Sequence, residues 1–336
     1  MLRGSQCHKL AKASLMVSRA YKGAMNLLRT CANAKPGEQL LIITDSATDP
    51  AVADTIMAAA CAVGMEAYKM TMKPRALPGD EPPAPVIAAM LAADVIICPT
   101  SRTLYHTNAR TVACRKGARF ISMAGANMSV LSSSAMFANF PKQEKVMNKL
   151  ILELTRATHV RVTNPAGTYL EFNVRGRRGH GVSGMATRPG DVTGVPEIEA
   201  YIAPVEKDTA GLLVVDGSTS VTGVVKQAIK IRIEHGVARR ISGGDDAREL
   251  SRIIREAKSP ASLRVGELGI GLNPLAHIRG SIIEDEGKLG TAHVALGDNT
   301  RLGGKNSAPT HIDLVFKNPH IQLDGVTVLK GKLLTV

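Results

Sequence analysis

The stretch that decides the fold is residues 39–64, QLLIITDSATDPAVADTIMAAACAVG. It begins with a continuous apolar run, Leu40–Ile43, which is typical of a strand buried on both faces of a parallel sheet. A helix is predicted next, with Asp49 as its N-cap, Pro50 in its first turn and Gly64 as its C-terminal stop. The stretch therefore predicts a strand followed by a helix, the repeating unit of a parallel α/β sheet.

The same alternation of strand and helix continues to about residue 130. A helical leader at 8–33 precedes the first strand, and the later elements are a strand at 67–72, a helix at 84–93, a strand at 95–100, a helix at about 103–117 and a strand at 119–123. This spacing predicts an open parallel, Rossmann-like α/β domain over residues 1–155. The turn after the first strand reads DSATDP and matches neither GxGxxG nor a P-loop, so no dinucleotide or P-loop site is predicted.

The sequence changes character after a helix predicted at 141–157. Residues 158–176, THVRVTNPAGTYLEFNVRG, alternate apolar and polar residues around a Pro-Ala-Gly turn, which predicts a β-hairpin. Strands are predicted at 197–204 and 211–218, a charged helix at 245–258, and a glycine-rich tail of strands and loops follows. We therefore predict a second, α+β domain over residues 156–336, and we expect it to bind metal.

Composition narrows the class of protein. The 336 residues are 44% hydrophobic, without an apolar run long enough for a membrane span or a secretory signal, so we expect a cytoplasmic protein with no membrane partner. Net charge is +13, but aromatic residues are 3% and the basic residues are dispersed, so we expect no nucleic-acid partner. Five cysteines without a CxxC pair argue against a disulfide framework or a cysteine zinc site.

Residues able to bind a metal concentrate between positions 267 and 313. His311 and Asp313 are two apart, so on a strand their side chains share one face. His293 lies between two glycine-flanked apolar pieces, and Glu267 begins an apolar strand where an unpaired carboxylate would be costly. Mixed imidazole and carboxylate ligands suit zinc, cobalt, manganese or ferrous iron. We therefore predict a site for a divalent metal ion here, although each histidine alone would also fit a structural role.

Two other segments offer candidate substrate contacts. RGRRGH, residues 175–180, presents Arg177 and His180 to an anionic group, unless it is simply a solvated basic loop. SRTLYH, residues 101–106, follows the third strand at its carboxyl end, where ligands gather in open α/β sheets. Tyr105 and His106 are therefore predicted to contact substrate.

The chain resembles the thermophilic metallo-aminopeptidase superfamily of the aminopeptidase T and S type, which also includes 2,5-dihydroxypyridine 5,6-dioxygenase-like proteins. The resemblance rests on the KPGE-strand-Asp opening, the TNPAGTYLEF hairpin and the tail. It implies an α/β domain followed by a metal-bearing domain, a homodimer, and two metals held by three acids, two histidines and a tyrosine. The matched positions are Glu199 in EAYIAP, Glu267 after Gly266, His293 in TAHVALG, and His311 with Asp313. The tyrosine position falls on Thr300, which has no phenol.

The resemblance leaves three functions open. We expect first a metal-dependent hydrolase that cleaves a small amide or short peptide with metal-activated water, with Glu267 or Glu286 as general base; Glu286 also fits a solvated acidic turn. The alternative is a ring-cleaving, non-haem Fe(II) dioxygenase. That relative holds iron with two histidines and an aspartate, and one of its histidines falls at Glu267. The third possibility is a family member that has lost catalysis.

Overall fold

The computed structural model describes residues 18–335, so residues 8–17 of the predicted helical leader lie outside the described part. By their internal contacts the residues form two compact units. The first contains the described residues up to Pro141 together with Gly184–Pro196, and the second contains Lys142–Ser183 and the described residues from Glu197 onwards. The predicted domain boundary near residue 155 stays a prediction. The later segment 184–196 returns to the first unit.

The described helices and strands are numbered in chain order. The helices are α1 at 18–26, continued by a π-helical turn Leu27–Cys31, α2 Pro50–Val63, α3 Ala84–Met90, α4 Asn108–Arg115, α5 Met128–Leu131, α6 Phe140–Arg156, α7 Asp245–Glu256 and α8 Ile282–Asp285. The strands are β1 Gln39–Asp45, β2 Glu66–Met72, β3 Val95–Cys98, β4 Arg119–Ser122, β5 His159–Thr163, β6 Tyr169–Asn173, β7 Gly179–Val182, β8 Val192–Gly194, β9 Glu199–Ile202, β10 Thr209–Val215, β11 Ser218–Thr219, β12 Gly223–Val224, β13 Ile229–Glu234, β14 Val237–Ser242, β15 Val265–Gly271, β16 Thr291–Gly297, β17 His311–Lys317, β18 His320–Leu323, β19 Val326–Lys330 and β20 Leu333–Leu334.

The first unit is built on a parallel sheet, as the sequence predicts. The strand order is β2-β1-β3-β4-β8, and each described pairing is parallel. The apolar run of β1 is buried because this strand lies between β2 and β3. Asp49 caps α2 by accepting a hydrogen bond from the Ala51 backbone, and Gly64 ends it in the left-handed conformation. The unpredicted strand β8 belongs to the returning segment.

The second unit contains two antiparallel sheets. An eight-stranded sheet has the order β14-β13-β10-β6-β5-β18-β19-β20, and a seven-stranded sheet has the order β12-β11-β17-β16-β15-β9-β7 among the described residues. The predicted hairpin is β5–β6, and its alternating pattern buries Val160, Val162, Leu170 and Phe172 on one face. Strands β15 and β16 are buried along their whole length because they occupy the middle of the seven-stranded sheet.

None of the described helices combines the length and the apolar character needed to cross a bilayer.

Candidate metal centre

The register of the seven-stranded sheet brings the predicted metal ligands onto one face. Glu267 on β15 pairs with Ala295 on β16, and Ala295 pairs with Asp313 on β17. Two residues further along β15, Gly269 pairs with His293 on β16. Because side chains two residues apart on a strand point the same way, Glu267, His293 and Asp313 converge above the sheet. His311, two residues before Asp313, shares this face.

Glycines leave room for the cluster. A Cβ added at Gly269 would lie 2.7 Å from Nδ1 of His293 and closer still to the other ring atoms, so the imidazole lies directly over the glycine. Gly271 is the neighbour of Glu199 across β9, and a Cβ there would lie 2.5 Å from the backbone oxygen of Glu286. The absence of a side chain at these two positions therefore admits the imidazole and the chain segment that carries Glu286.

Short distances link the cluster. Nε2 of His311 lies 3.1 Å from Oε2 of Glu267 and 3.2 Å from Oδ1 of Asp313. Nε2 of His293 lies 3.8 Å from Oε1 of Glu267, and Nδ1 of His293 lies 3.6 Å from Oε2 of Glu199. Ligand atoms bound to one ion at about 2.0–2.2 Å end up roughly 3–4 Å apart, so the separations of His311 from Glu267 and Asp313 fit one shared metal ion.

Glu286, proposed as a base, also belongs to the cluster. Its carboxylate, His293 and Asp313 offer ligand atoms that all lie within 4.8 Å of one another. The same holds for two further triads, Glu199 with Glu267 and His293, and Glu267 with His311 and Asp313. The structure thus brings together every predicted ligand and both predicted general bases.

The ring of His311 is fixed in one orientation by the backbone. Its Nδ1 lies 2.7 Å from the carbonyl oxygen of Asp298, and because a carbonyl can only accept, Nδ1 must donate. In the neutral ring Nε2 then carries a lone pair, aimed at the carboxylates of Glu267 and Asp313. A lone pair facing two anions is repulsive unless a cation or a proton lies between them, and this backbone contact is the usual support of a metal-binding histidine.

Charges in the cluster shift several pKa values in opposite directions. Burial by itself raises the pKa of Glu267, but the neighbouring imidazoles of His293 and His311 lower this pKa to about 2. Burial also opposes the charge of His311, but Asp313 and Glu267 together raise the pKa of His311 well above its ordinary value. Burial and the neighbouring carboxylates raise the pKa of Glu199 and Glu286 well above the usual range. So many buried acids are tolerated only with compensating positive charge.

Two buried atoms in the cluster lack a partner among the described residues. Oε2 of Glu199 and Nδ1 of His293 have no hydrogen bond, and they face each other across 3.6 Å. A buried polar atom without a partner costs about 1–3 kcal/mol. A divalent ion bound between these two atoms would satisfy both, so this side of the cluster also has donors that suit such an ion. The His311 side chain is 32% exposed and that of His293 is 2% exposed, so the cluster opens to solvent on the His311 side.

Sequence analysis missed one acid of the site. Glu197 is buried two residues before Glu199, and its charge helps to raise the pKa of Glu199. Burial raises the pKa of Glu197 to about 7. The signal was present in the sequence as Glu-Ile-Glu, because alternate residues of an extended segment share a face.

His180 and Arg177 lie in the second unit but differ in their surroundings. His180 on β7 pairs with Tyr201 on β9, their rings stack with centroids 5.7 Å apart, and Tyr201 pairs with Gly269. Burial, followed by the charge of Arg178, lowers the pKa of His180. Arg177 instead forms a salt bridge with Glu206, so its guanidinium is already engaged. The substrate-binding roles predicted for these two residues stay predictions.

Tyr105 and His106 lie in the first unit, after β3. Their rings make an edge-to-face contact with centroids 5.1 Å apart, and the Arg110 guanidinium lies over the Tyr105 ring. Both side chains are partly exposed. Their contact with substrate stays a prediction.

Thr300 does not replace the missing phenol. It is exposed on a short 3-10 turn, and both its backbone N–H and its hydroxyl donate to the carboxylate of Asp298. Position 300 therefore gives the centre neither a phenol nor a ligand of another kind.

Comparisons with known proteins agree on one family. The sequence profile described as "2,5-dihydroxypyridine 5,6-dioxygenase" (NicX) matches residues 21–335. A curated protein of that name from Pseudomonas putida KT2440 is 26% identical over 200 residues, which cover 56% of this chain and 57% of the relative. That sequence match thus spans little more than half the relative's length.

Two solved structures share the fold. The 2,5-dihydroxypyridine dioxygenase from Pseudomonas putida KT2440 matches with a TM-score of 0.76 and 20% identity, over 95% of this chain and 97% of that chain. Wild-type AmpT from Thermus thermophilus matches with a TM-score of 0.69 and 14% identity, over 95% and 99%. At these identities the two structures show a common fold.

The expectation of an aminopeptidase-like hydrolase is wrong. The family profile and the curated relative both carry the name of a dioxygenase, whereas the likeness to AmpT is one of fold alone. The chemistry of position 300 agrees with this correction, because the peptidase-type metal set includes a phenol that Thr300 cannot supply. The correction concerns the reaction and leaves the grouping of the candidate ligands unchanged.

Proposed function

Because the chain belongs to the 2,5-dihydroxypyridine 5,6-dioxygenase family, we propose that it is an iron-dependent dioxygenase that opens a hydroxylated, nitrogen-containing aromatic ring with O2. The observation that carries this proposal is the orientation of His311. Its donation to the Asp298 carbonyl leaves Nε2 free to bind a metal beside Glu267 and Asp313. Non-haem Fe(II) oxygenases typically hold iron with two histidines and one carboxylate and keep positions open, and this set of one histidine and two carboxylates offers the same types of ligand.

The residues that would hold the ion are His311, Asp313 and Glu267, with His293 on the buried side of Glu267. A ferrous ion supplies the redox chemistry that the reaction of O2 with a closed-shell ring requires. The backbone of Asp298 keeps the His311 ring in place, so Nε2 needs no reorientation when the ion binds. Both atoms of O2 end in the ring-opened product, and no other oxidant is consumed.

The buried acids would accept and hold protons during the reaction. A ring diol loses hydroxyl protons as it becomes reactive, and the carboxyl group of Glu197, with a pKa raised to about 7 by burial, can accept one near neutral pH. Glu286, whose pKa is raised by burial and by neighbouring acids, can hold a second proton.

The expected substrate and oligomeric state follow from the same family assignment. We propose a small aromatic molecule as substrate, with Tyr201 and His180 as the nearest aromatic surface on the metal-bearing face of the sheet. We further propose that the protein is a homodimer, which light scattering of the purified protein would test. A cytoplasmic location stays a prediction.

The test is oxygen uptake by protein loaded anaerobically with Fe(II), with 2,5-dihydroxypyridine as the first substrate. We expect one O2 consumed per ring opened, and no uptake by metal-free or zinc-loaded protein. His311→Gln and Asp313→Asn should abolish both iron binding and uptake. His235→Asn is the matched control, because His235 lies on an exposed turn at φ 51, which asparagine tolerates. Iron-loaded protein that consumes no O2 with any dihydroxypyridine would refute the proposal.

A further inference from the structure

The loop that orients His311 is residues 298–310, between β16 and β17, here called the metal loop. It begins at Asp298, whose carbonyl accepts the hydrogen bond from His311 Nδ1. Its far end also returns to Asp298, because the backbone N–H of Asp298 donates to the Thr310 carbonyl at 2.7 Å. Contacts that hold this loop in place therefore also hold the ring of His311, the proposed ligand.

The middle of the metal loop is closed by two asparagines. The backbone N–H of Asn299 donates to the Asn306 carbonyl at 3.0 Å, and the backbone N–H of Asn306 donates to the Asn299 side chain at 2.8 Å. Gly304 donates to the Asn299 carbonyl at 2.9 Å. Residues 299–306 thus form a compact subloop attached directly to Asp298.

One ion pair from outside the loop holds this subloop. Nη1 of Arg177 donates to the Gly303 carbonyl at 2.6 Å, and Nη2 of Arg177 lies 2.6 Å from Oε2 of Glu206. The other carboxylate oxygen of Glu206 accepts the backbone N–H of Lys305 at 2.6 Å. The side chains of Arg177 and Glu206 are only 12% and 18% exposed. The pair therefore bridges two backbone groups of the loop in a largely shielded setting, where charge-assisted hydrogen bonds are strong.

The ion pair of Arg177 and Glu206, here called the clamp, is itself held in place on both sides. The Arg264 guanidinium donates to the Glu206 carbonyl at 2.9 Å, and Arg177 lies two residues before strand β7 of the same sheet. The planar fork of arginine suits simultaneous contact with a carbonyl and a carboxylate, which the single ammonium of lysine does not reproduce.

We propose that Arg177 and Glu206 are positioning residues that clamp the metal loop, so that the Asp298 carbonyl holds His311 ready for the metal. This inference rests on the proposed metal-binding role of His311. It assigns Arg177 to loop positioning in place of the substrate contact predicted from the sequence. Supporting contacts of this kind typically change metal affinity by about 10–100-fold.

The test compares clamp variants with a matched ion pair. Arg177→Met and Glu206→Gln remove the clamp, and Arg177→Lys restores the charge without the fork. Arg161→Lys and Glu171→Gln change a pair of the same types that is 48% and 38% exposed on the eight-stranded sheet. Anaerobic titration with Co(II) gives both the affinity and a visible absorption spectrum that reports ligand geometry.

We expect Arg177→Met and Glu206→Gln to bind Co(II) about 10-fold or more weakly, with an altered spectrum, and Arg177→Lys to fall between them and the wild type. The Arg161 and Glu171 variants should match the wild type. Hydrogen exchange of metal-free protein should show faster exchange in residues 299–306 of the clamp variants, and slow exchange elsewhere would establish that they fold. Clamp variants with wild-type affinity and spectrum would overturn the inference.

The same measurements separate this inference from the proposed function. Wild-type protein that binds Co(II) and depends on the clamp, but does not consume O2, would contradict the dioxygenase proposal and leave the clamp supported. Wild-type protein that binds no divalent metal would contradict both.

Discussion

Replacing Gly269 by alanine is the smallest change that tests the geometry of the centre. Gly269 is on β15 opposite His293, in extended backbone that alanine adopts without strain, so the effect is purely steric. The new Cβ would lie 2.7 Å from Nδ1 of His293 and nearer to Cε1 and Nε2, whereas ordinary contact begins at 3.4 Å. The fully buried imidazole must therefore move by more than about 0.7 Å, beyond the roughly 0.2 Å tolerance of metal–ligand distances.

The expected cost has two parts. Forcing a methyl group into a packed site costs about 1–3 kcal/mol of folding free energy. Displacing the imidazole disturbs Glu267, a proposed ligand whose Oε1 lies 3.8 Å from Nε2 of His293, so we expect Fe(II) or Co(II) affinity to fall by about 10–100-fold. The melting temperature of metal-free protein reports the first part, and anaerobic metal titration reports the second.

Gly179→Ala is the matched control for Gly269→Ala. Gly179 is also a strand glycine of the seven-stranded sheet, and a Cβ there would lie 2.7 Å from the Ile151 backbone oxygen, away from His293. It should lose comparable stability and keep its metal affinity. If Gly269→Ala binds metal as tightly as the wild type, the assigned position of His293 at the centre is wrong.

Two further predictions concern the acids and position 300. Burial raises the pKa of Glu197 to about 7, and that of Glu199 and Glu286 well above the usual range, so these groups bind protons more tightly folded than unfolded. Their contribution to stability is complete below the unfolded pKa of 4.5 and is lost as pH rises through the folded pKa. We therefore expect the melting temperature of metal-free protein to fall between pH 4.5 and about 7. A melting temperature that stays constant over this interval would contradict these pKa shifts. Metal affinity should rise over the same interval, because a bound ion displaces those protons. Thr300→Ala should leave Co(II) affinity unchanged within about 2-fold, since the Thr300 hydroxyl faces Asp298, and a larger loss would place Thr300 at the centre.

Local patterns in the sequence predicted the framework of both units. The apolar run of β1, the capped helix α2 and the hairpin β5–β6 carry their signals within a few residues, and each appears where expected. Strand β8 could not be predicted in the same way. It joins β4 only because residues 184–196 return to the first unit, and that return is a long-range property of packing.

The metal cluster was predictable because its ligands come from short strands with recognisable spacing. His311 and Asp313 share a face by alternation alone, whereas Glu267 and His293 join them only through the register of β15, β16 and β17. The role of Arg177 was not predictable, because its partner Glu206 and the Gly303 carbonyl are distant in the sequence. A run of basic residues in a sequence does not show whether it contacts a substrate or a loop of the protein itself.

The reaction was predicted less well than the grouping of the candidate ligand residues. The same imidazole and carboxylate groups suit hydrolytic zinc and oxygen-activating iron, so residue types alone left both chemistries open. The threonine at the tyrosine position, Thr300, was an argument against the peptidase mechanism but did not exclude it, and the match to the family profile favours the dioxygenase.

Iron-edge anomalous diffraction from crystals of protein loaded anaerobically with Fe(II) tests the central claim most directly. We predict an iron peak within bonding distance, about 2.0–2.2 Å, of His311 Nε2 and of carboxylate oxygens from Glu267 and Asp313, with Nδ1 of His311 still bonded to the Asp298 carbonyl. Iron bound elsewhere, or a His311 ring turned away from both carboxylates, would contradict the account.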